Sequence, residues 1–175
     1  MNTLEAISTR TSVRKFLDKE IPLEIIKIIL EAGIKAPSGG NRQPWRFVVV
    51  TDKDKIKNFD PEDHQPCVEQ APAVIVACTN PHDTWETYDE NDQCYILDTA
   101  ASIQNMLLAI HDQGLGGVWI VSFSKREVRK QLNIPLHWQI VSIIPFGYPA
   151  ENNAARPRKK LENVAYLNDI NCPIK

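Results

Sequence analysis

A chain of 175 residues with 43% apolar and 24% charged side chains has ordinary globular composition, enough to bury a core, and is expected to be one domain, 1–175. A net charge of −2 with a pI near 6.1 gives no basic footprint for nucleic acid. No apolar run reaches the ~20 residues of a membrane span, and MNTLEAISTR lacks the apolar stretch of a signal peptide, so a cytoplasmic location is expected.

Thr3 is placed to cap a short helix through about Thr9, with Leu4 and Ile7 turned inward. Residues 22–35 open on Pro22 and carry Ile25, Ile26, Ile28, Ile29, Leu30, Ala32 and Ile34. That is too apolar for a one-faced surface helix and predicts a largely buried one. Phe47 to Val50 reads as a strand, followed by a short helix capped by Asp52. Residues 60–70 read as a polar loop with room for one helical turn, Ala73 to Cys78 as a buried strand, and 80–90 as loop. The longest helix covers 91–113, with Ile96, Ala100, Ile103, Leu107 and Ile110 at helical spacing and Gly114 placed to stop it. Val118 to Val121 reads as a strand, Ser124 and Glu127 as a capping box opening a helix to about Leu132, and Gln139 to Phe146 as the last strand. The fold class is therefore α+β, with one sheet of four or five strands. No early strand is followed by GxGxxG, which disfavours a Rossmann domain.

Three clusters could carry chemistry. Arg10-Thr11-Ser12-Val13-Arg14 offers two guanidiniums and two hydroxyls, a set that matches phosphate oxygens. Alone, it reads more simply as a solvated turn. Residues 36–45, APSGGNRQPW, lie between a buried helix and a buried strand; their glycines allow a ligand close to the backbone, and Ser38, Asn41 and Gln43 could read a heterocycle edge. A turn beside a packed Trp45 explains the same composition. Arg156 to Lys160 is a basic run, usually a solvated tail. His64, His82, His111 and His137 have no metal spacing, and Cys67, Cys78, Cys94 and Cys172 form no CxxC pair, so no metal site is indicated. Asp89, Glu90 and Asp92 read as a solvated helix start, and Trp119 and Trp138 as core.

Taken in order, the clusters resemble the nitroreductase family of FMN-dependent enzymes. The matching stretches are RTSVRKF at 10–16, APSGGNRQPWRF at 36–47, GLGGVWI at 114–120, and GYPAE followed by RPRK between 147 and 159. The resemblance spans nearly the whole chain. It implies a three-layer α+β fold, a central mostly antiparallel sheet flanked by helices, and a homodimer with FMN in its interface. A C-terminal arm over about 150–175 would reach the partner subunit. By resemblance, Arg10, Thr11, Ser12 and Arg14 hold the phosphate and ribityl chain, joined by Arg156, Arg158 or both. Pro37, Ser38, Gly39 and Asn41 would come from the partner and line the flavin. Trp119, Ile120 and Val121 would run beside the isoalloxazine ring, with backbone N–H groups of that stretch donating to N5 and O4.

The implied activity is ping-pong hydride transfer from NADH or NADPH through FMN to nitroaromatic, quinone or related small-molecule acceptors. The cofactor carries that chemistry, and no side chain is named as a catalytic acid or base. A specialised enzyme of the same fold, such as a dehalogenase, is a second reading; a non-catalytic FMN storage or sensor protein is the alternative of another class. Residues 60–70 fit the family pattern poorly. The stretch 122–138 is short for the family, which implies an open pocket.

Overall fold

The computed structural model describes residues 1–59, 65–86, 92–151 and 153–174; the expectations for His64, Asp89, Glu90 and parts of the 60–70 and 80–90 loops lie outside them. In chain order the elements are α1 (Thr3–Thr9), α2 (Leu23–Ile34), β1 (Trp45–Val50), α3 (Lys53–Lys57), α4 (Pro66–Glu69), β2 (Ala73–Thr79), α5 (Cys94–Asp112), β3 (Gly116–Gly117), α6 (Lys125–Leu132) and β4 (Gln139–Gly147). The strands form one antiparallel sheet in the order β1-β2-β4-β3.

Strand β2 explains the layering. It is buried along its whole length, and its side chains alternate between two cores. Val74, Val76 and Cys78 pack with Ile56, Phe59 and Val68 of the α3–α4 segment and Val128 of α6. Ala73, Ile75 and Ala77 pack with Ile26 and Ile29 of α2 and Ile103, Met106 and Ile110 of α5. A register shift opposite Ala77 and Cys78 inserts one extra residue into β4, so Ile140 and Ile143 serve the first core while Ile144 and Phe146 serve the second.

Helices α2 and α5 approach closely at Gly33. A Cβ there would lie 2.8 Å from Met106 Cγ. Ser102 Oγ donates to the Gly33 carbonyl at 2.9 Å and Asn105 Nδ2 to the Ala32 carbonyl at 3.2 Å. These bonds give a second donor to carbonyls at the last turn of α2 that also accept from the Lys35 and Ala36 N–H groups.

Several expectations are corrected. The cap of α1 is Asn2, not Thr3; it forms a reciprocal capping box with Glu5. Leu4 and Ile7 are 77% and 55% exposed, because α1 buries only Ala6. Helix α2 is not largely buried: Leu23, Ile28 and Ile34 face outward. The strand expected at 118–121 is displaced to Gly116–Gly117, with Ile120 making one isolated bridge to Ile143. Helix α5 begins at Cys94 and not at 91, and the Glu127 carboxylate of the expected capping box pairs with Arg126; three other signals hold. Asp52 caps α3, Ser124 accepts from Glu127 N–H at α6, and Gly114 leaves α5 at φ +72°. Among the described residues no helix is long and apolar enough to cross a membrane.

Candidate functional site

After α1 the chain does not turn away from the sheet. Val13 N–H donates to the Gly117 carbonyl at 3.1 Å, and Ser12 makes a parallel bridge to Gly117. Leu17 N–H reaches the Tyr148 carbonyl at 2.8 Å and Ala150 N–H reaches the Lys15 carbonyl at 2.9 Å. Residues 10–17 thus form a strap along β3 and the end of β4. Its approach depends on Gly116, where a Cβ would lie 2.5 Å from the Cβ of Val13.

This strap brings the first and third sequence clusters together. Arg10, Thr11, Ser12 and Arg14 line a cavity of about 460 Å³ with Arg156 and Arg158. Arg10 is half-buried; burial, and then the like charge of Arg158, hold its pKa below the ordinary guanidinium value. Arg14 lies close enough to α4 for its charge to oppose, without cancelling, the upward shift that burial gives the Cys67 thiol. No ion pair to Arg10, Arg14, Arg156 or Arg158 is found among the described residues. Four cations converge on one concavity, none of them in an ion pair among the described residues, a site for a polyvalent anion.

A second cavity of about 440 Å³ shares Arg10 and Thr11 and reaches Leu107, Ile110 and His111 near the C-terminal end of α5. The turn 36–45 stands at the opposite end of the same helix. Gly39 N–H donates to both Asp98 oxygens at 3.1 and 3.3 Å, and Gln43 N–H to Ser38 Oγ at 3.0 Å. Asp98 and Ile110 are separated by about 18 Å of helix at 1.5 Å per residue. None of Pro37, Ser38, Gly39 and Asn41 lines either cavity, so one chain does not unite them with the arginines. Asn41 and Gln43 both have positive φ, at 57° and 52°, which marks the turn as conformationally constrained.

Trp119, Ile120 and Val121 form an edge beside β4. Ile120 N–H is engaged by the Ile143 carbonyl at 3.0 Å. Along an extended edge the flanking amides point the other way, so Trp119 and Val121, not Ile120, are the backbone donors this edge can offer. Trp119 Nε1 is buried without a hydrogen-bond partner among the described residues.

Sequence reasoning missed four participants. Glu151 and Asn153 line the arginine cavity. Trp85 packs on the 36–45 turn so tightly that a Cβ on Gly40 would sit 2.0 Å from its ring. Asp98 anchors that turn. Glu151 closes the stretch GYPAE, but nothing linear reveals the neighbours it meets. Among the described residues no group of three or more His, Cys, Asp and Glu could hold a metal ion.

Comparison with known proteins is consistent across sequence and structure. The sequence matches the nitroreductase family over residues 7–65 and 62–148. A Methanothermobacter thermautotrophicus protein, named as a candidate NADH dehydrogenase/NAD(P)H nitroreductase, is 36% identical over 89% of this chain and 82% of its own. The NADPH-flavin oxidoreductase of Vibrio harveyi is 30% identical over 95% of this chain and 74% of its own. The structure of an FMN-dependent nitroreductase from Clostridium difficile R20291 superposes with a TM-score of 0.82 at 26% identity, covering 96% of this chain and all of that one.

Proposed function

We infer the function from one premise: this chain belongs to the nitroreductase family. It is an NAD(P)H-dependent oxidoreductase that works with a flavin. We read the flavin as FMN, acting in ping-pong fashion towards nitroaromatic, quinone or related small acceptors, in a cytoplasmic homodimer.

The observation that carries the FMN reading is the four-arginine cavity, floored by the Thr11 and Ser12 segment. A phosphomonoester brings nearly two negative charges near neutral pH, and these offset both effects that depress Arg10. Arg10, Arg14, Arg156 and Arg158 would hold that phosphate, and Thr11 and Ser12 would complete its shell. Trp119 and Val121 would present N–H groups to the ring. Pro37, Ser38, Gly39 and Asn41, stationed beyond the arginine cavity in their own chain, would serve the partner's flavin. When bound, FMN supplies the redox chemistry, accepting hydride from NAD(P)H and passing it to the acceptor; the chain binds, orients and tunes. The exposed apolar side chains of the tail, Leu161, Val164, Leu167 and Ile170, fit an arm that is covered by a second subunit.

The test is a visible spectrum of the purified protein followed by separate anaerobic additions of NADH and NADPH. A flavin band near ~450 nm that bleaches supports the reading. Bound flavin that neither donor reduces points to storage or sensing. Failure to bind FMN when it is supplied rejects the assignment.

A further inference from the structure

The arginine cavity contains a carboxylate of the wrong sign for its proposed ligand. Glu151 lines it, yet its carboxylate pairs elsewhere, and no ion pair to Arg10, Arg14, Arg156 or Arg158 is found among the described residues. Glu151 Oε2 faces Lys15 Nζ at 3.3 Å, and Oε1 accepts from Asn153 Nδ2 at 3.3 Å. The same Asn153 nitrogen donates to the Ser12 carbonyl at 2.9 Å. An amide nitrogen carries two protons, so both are engaged, one on the strap and one on the carboxylate. The backbone runs in parallel, with Ala150 N–H on the Lys15 carbonyl and Phe16 bridged to Pro149.

We propose that Lys15, Glu151 and Asn153 form a latch that sets the phosphate site. Asn153 fixes the Ser12 carbonyl and so the aim of the strap. Lys15 holds Glu151 where it cannot pair with the site's own arginines and occupy the place of the phosphate. All three are positioning residues. Lys15 is mostly exposed, and an exposed ion pair alone is a weak restraint; the bond from Asn153 supplies the second hold on the carboxylate. Because Arg156 and Arg158 follow Asn153 by only three and five residues, the latch also sets where the tail enters the cavity.

The proposal rests on the reading of this cavity as a phosphate site, and two probes separate the two. Thermal melts of the flavin-free protein with inorganic phosphate test the site; fluorescence titrations with FMN and riboflavin test the latch. Asn153→Ala is expected to weaken FMN binding about tenfold, the scale of one hydrogen bond. Riboflavin, which lacks the phosphate, should change by less than about twofold, the scale of a neutral substitution. Lys15→Met should weaken FMN, most at low ionic strength. Lys15→Met/Glu151→Gln should restore it, since glutamine keeps the acceptor for Asn153 without the charge. Equal losses for FMN and riboflavin, an unaffected Lys15→Met protein, or a double variant without recovery would overturn the latch alone. A wild-type protein that responds to neither phosphate nor FMN would remove the site and the latch together.

Discussion

Arg10 stands where the two cavities meet, and its environment works against its charge. Burial and Arg158 both lower its basicity, and the charge of a bound anion opposes that shift. Arg10→Met is therefore expected to cost about 1.5–3 kcal/mol of FMN affinity, roughly ten- to 150-fold in Kd, read by flavin fluorescence on the flavin-free protein. The cysteines give a contrasting case. Burial pushes the Cys78 thiol up to about 11 and the Cys67 thiol upward too, whereas Cys172 is exposed. At pH 8 a thiol reagent should reach Cys67 and Cys78 only on unfolding. The linkage has a definite sign. The unfolded Cys78 thiol releases its proton near 9 and the native one near 11, so its contribution to stability is full below 9 and lost as pH rises through 11. Melts over that window should show a fall in Tm that Cys78→Ala makes shallower.

At the scale of elements, sequence patterns succeeded where the chain itself supplies the partner. Strand β2 was legible because it is apolar from Ala73 to Cys78 and buried on both faces. Helix α5 was legible because its period and Gly114 agree. Strand β3 was not. The apolar run Val118 to Val121 outweighed two glycines, yet pairing is decided by register with β4 and by the room Val13 needs. The outward faces of α1 and α2 were misread for a related reason. Periodicity reveals that Leu4, Ile7 and Ile28 are apolar, but not whether their cover lies in the same chain. The strap follows the same rule: the arginines were legible as residues, whereas Lys15 meeting Glu151 is a contact across more than 130 positions. Gly116→Ala tests the element directly. The added methyl would strike Val13, at the ~1–3 kcal/mol scale of overpacking. The expected result is a lowered Tm with a loss of FMN affinity. Unchanged FMN binding would show that the strap tolerates displacement.

For the whole molecule, the central question is whether one flavin site draws on one chain or two. The arginine strap and the 36–45 turn stand at opposite ends of α5, and neither cavity has walls from both. An isologous dimer can bring the turn of each chain to the strap of the other, forming two equivalent sites. Complementation between variants decides the matter. One variant carries Arg10→Glu and Arg14→Glu; a second carries Ser38→Trp and Asn41→Trp; each alone should bind no flavin. Co-expression under two tags yields mixed dimers with one doubly broken site and one site built wholly of native residues. With random pairing, about a quarter of all sites should recover FMN, and all of them should purify with both tags. If strap and turn of the same chain formed a site, every site in the mixture would contain a broken half and no flavin would return. Deleting 161–175 from both variants extends the test to the tail: if its exposed apolar side chains are the arm that joins the subunits, the mixed dimers and the recovered flavin should disappear together.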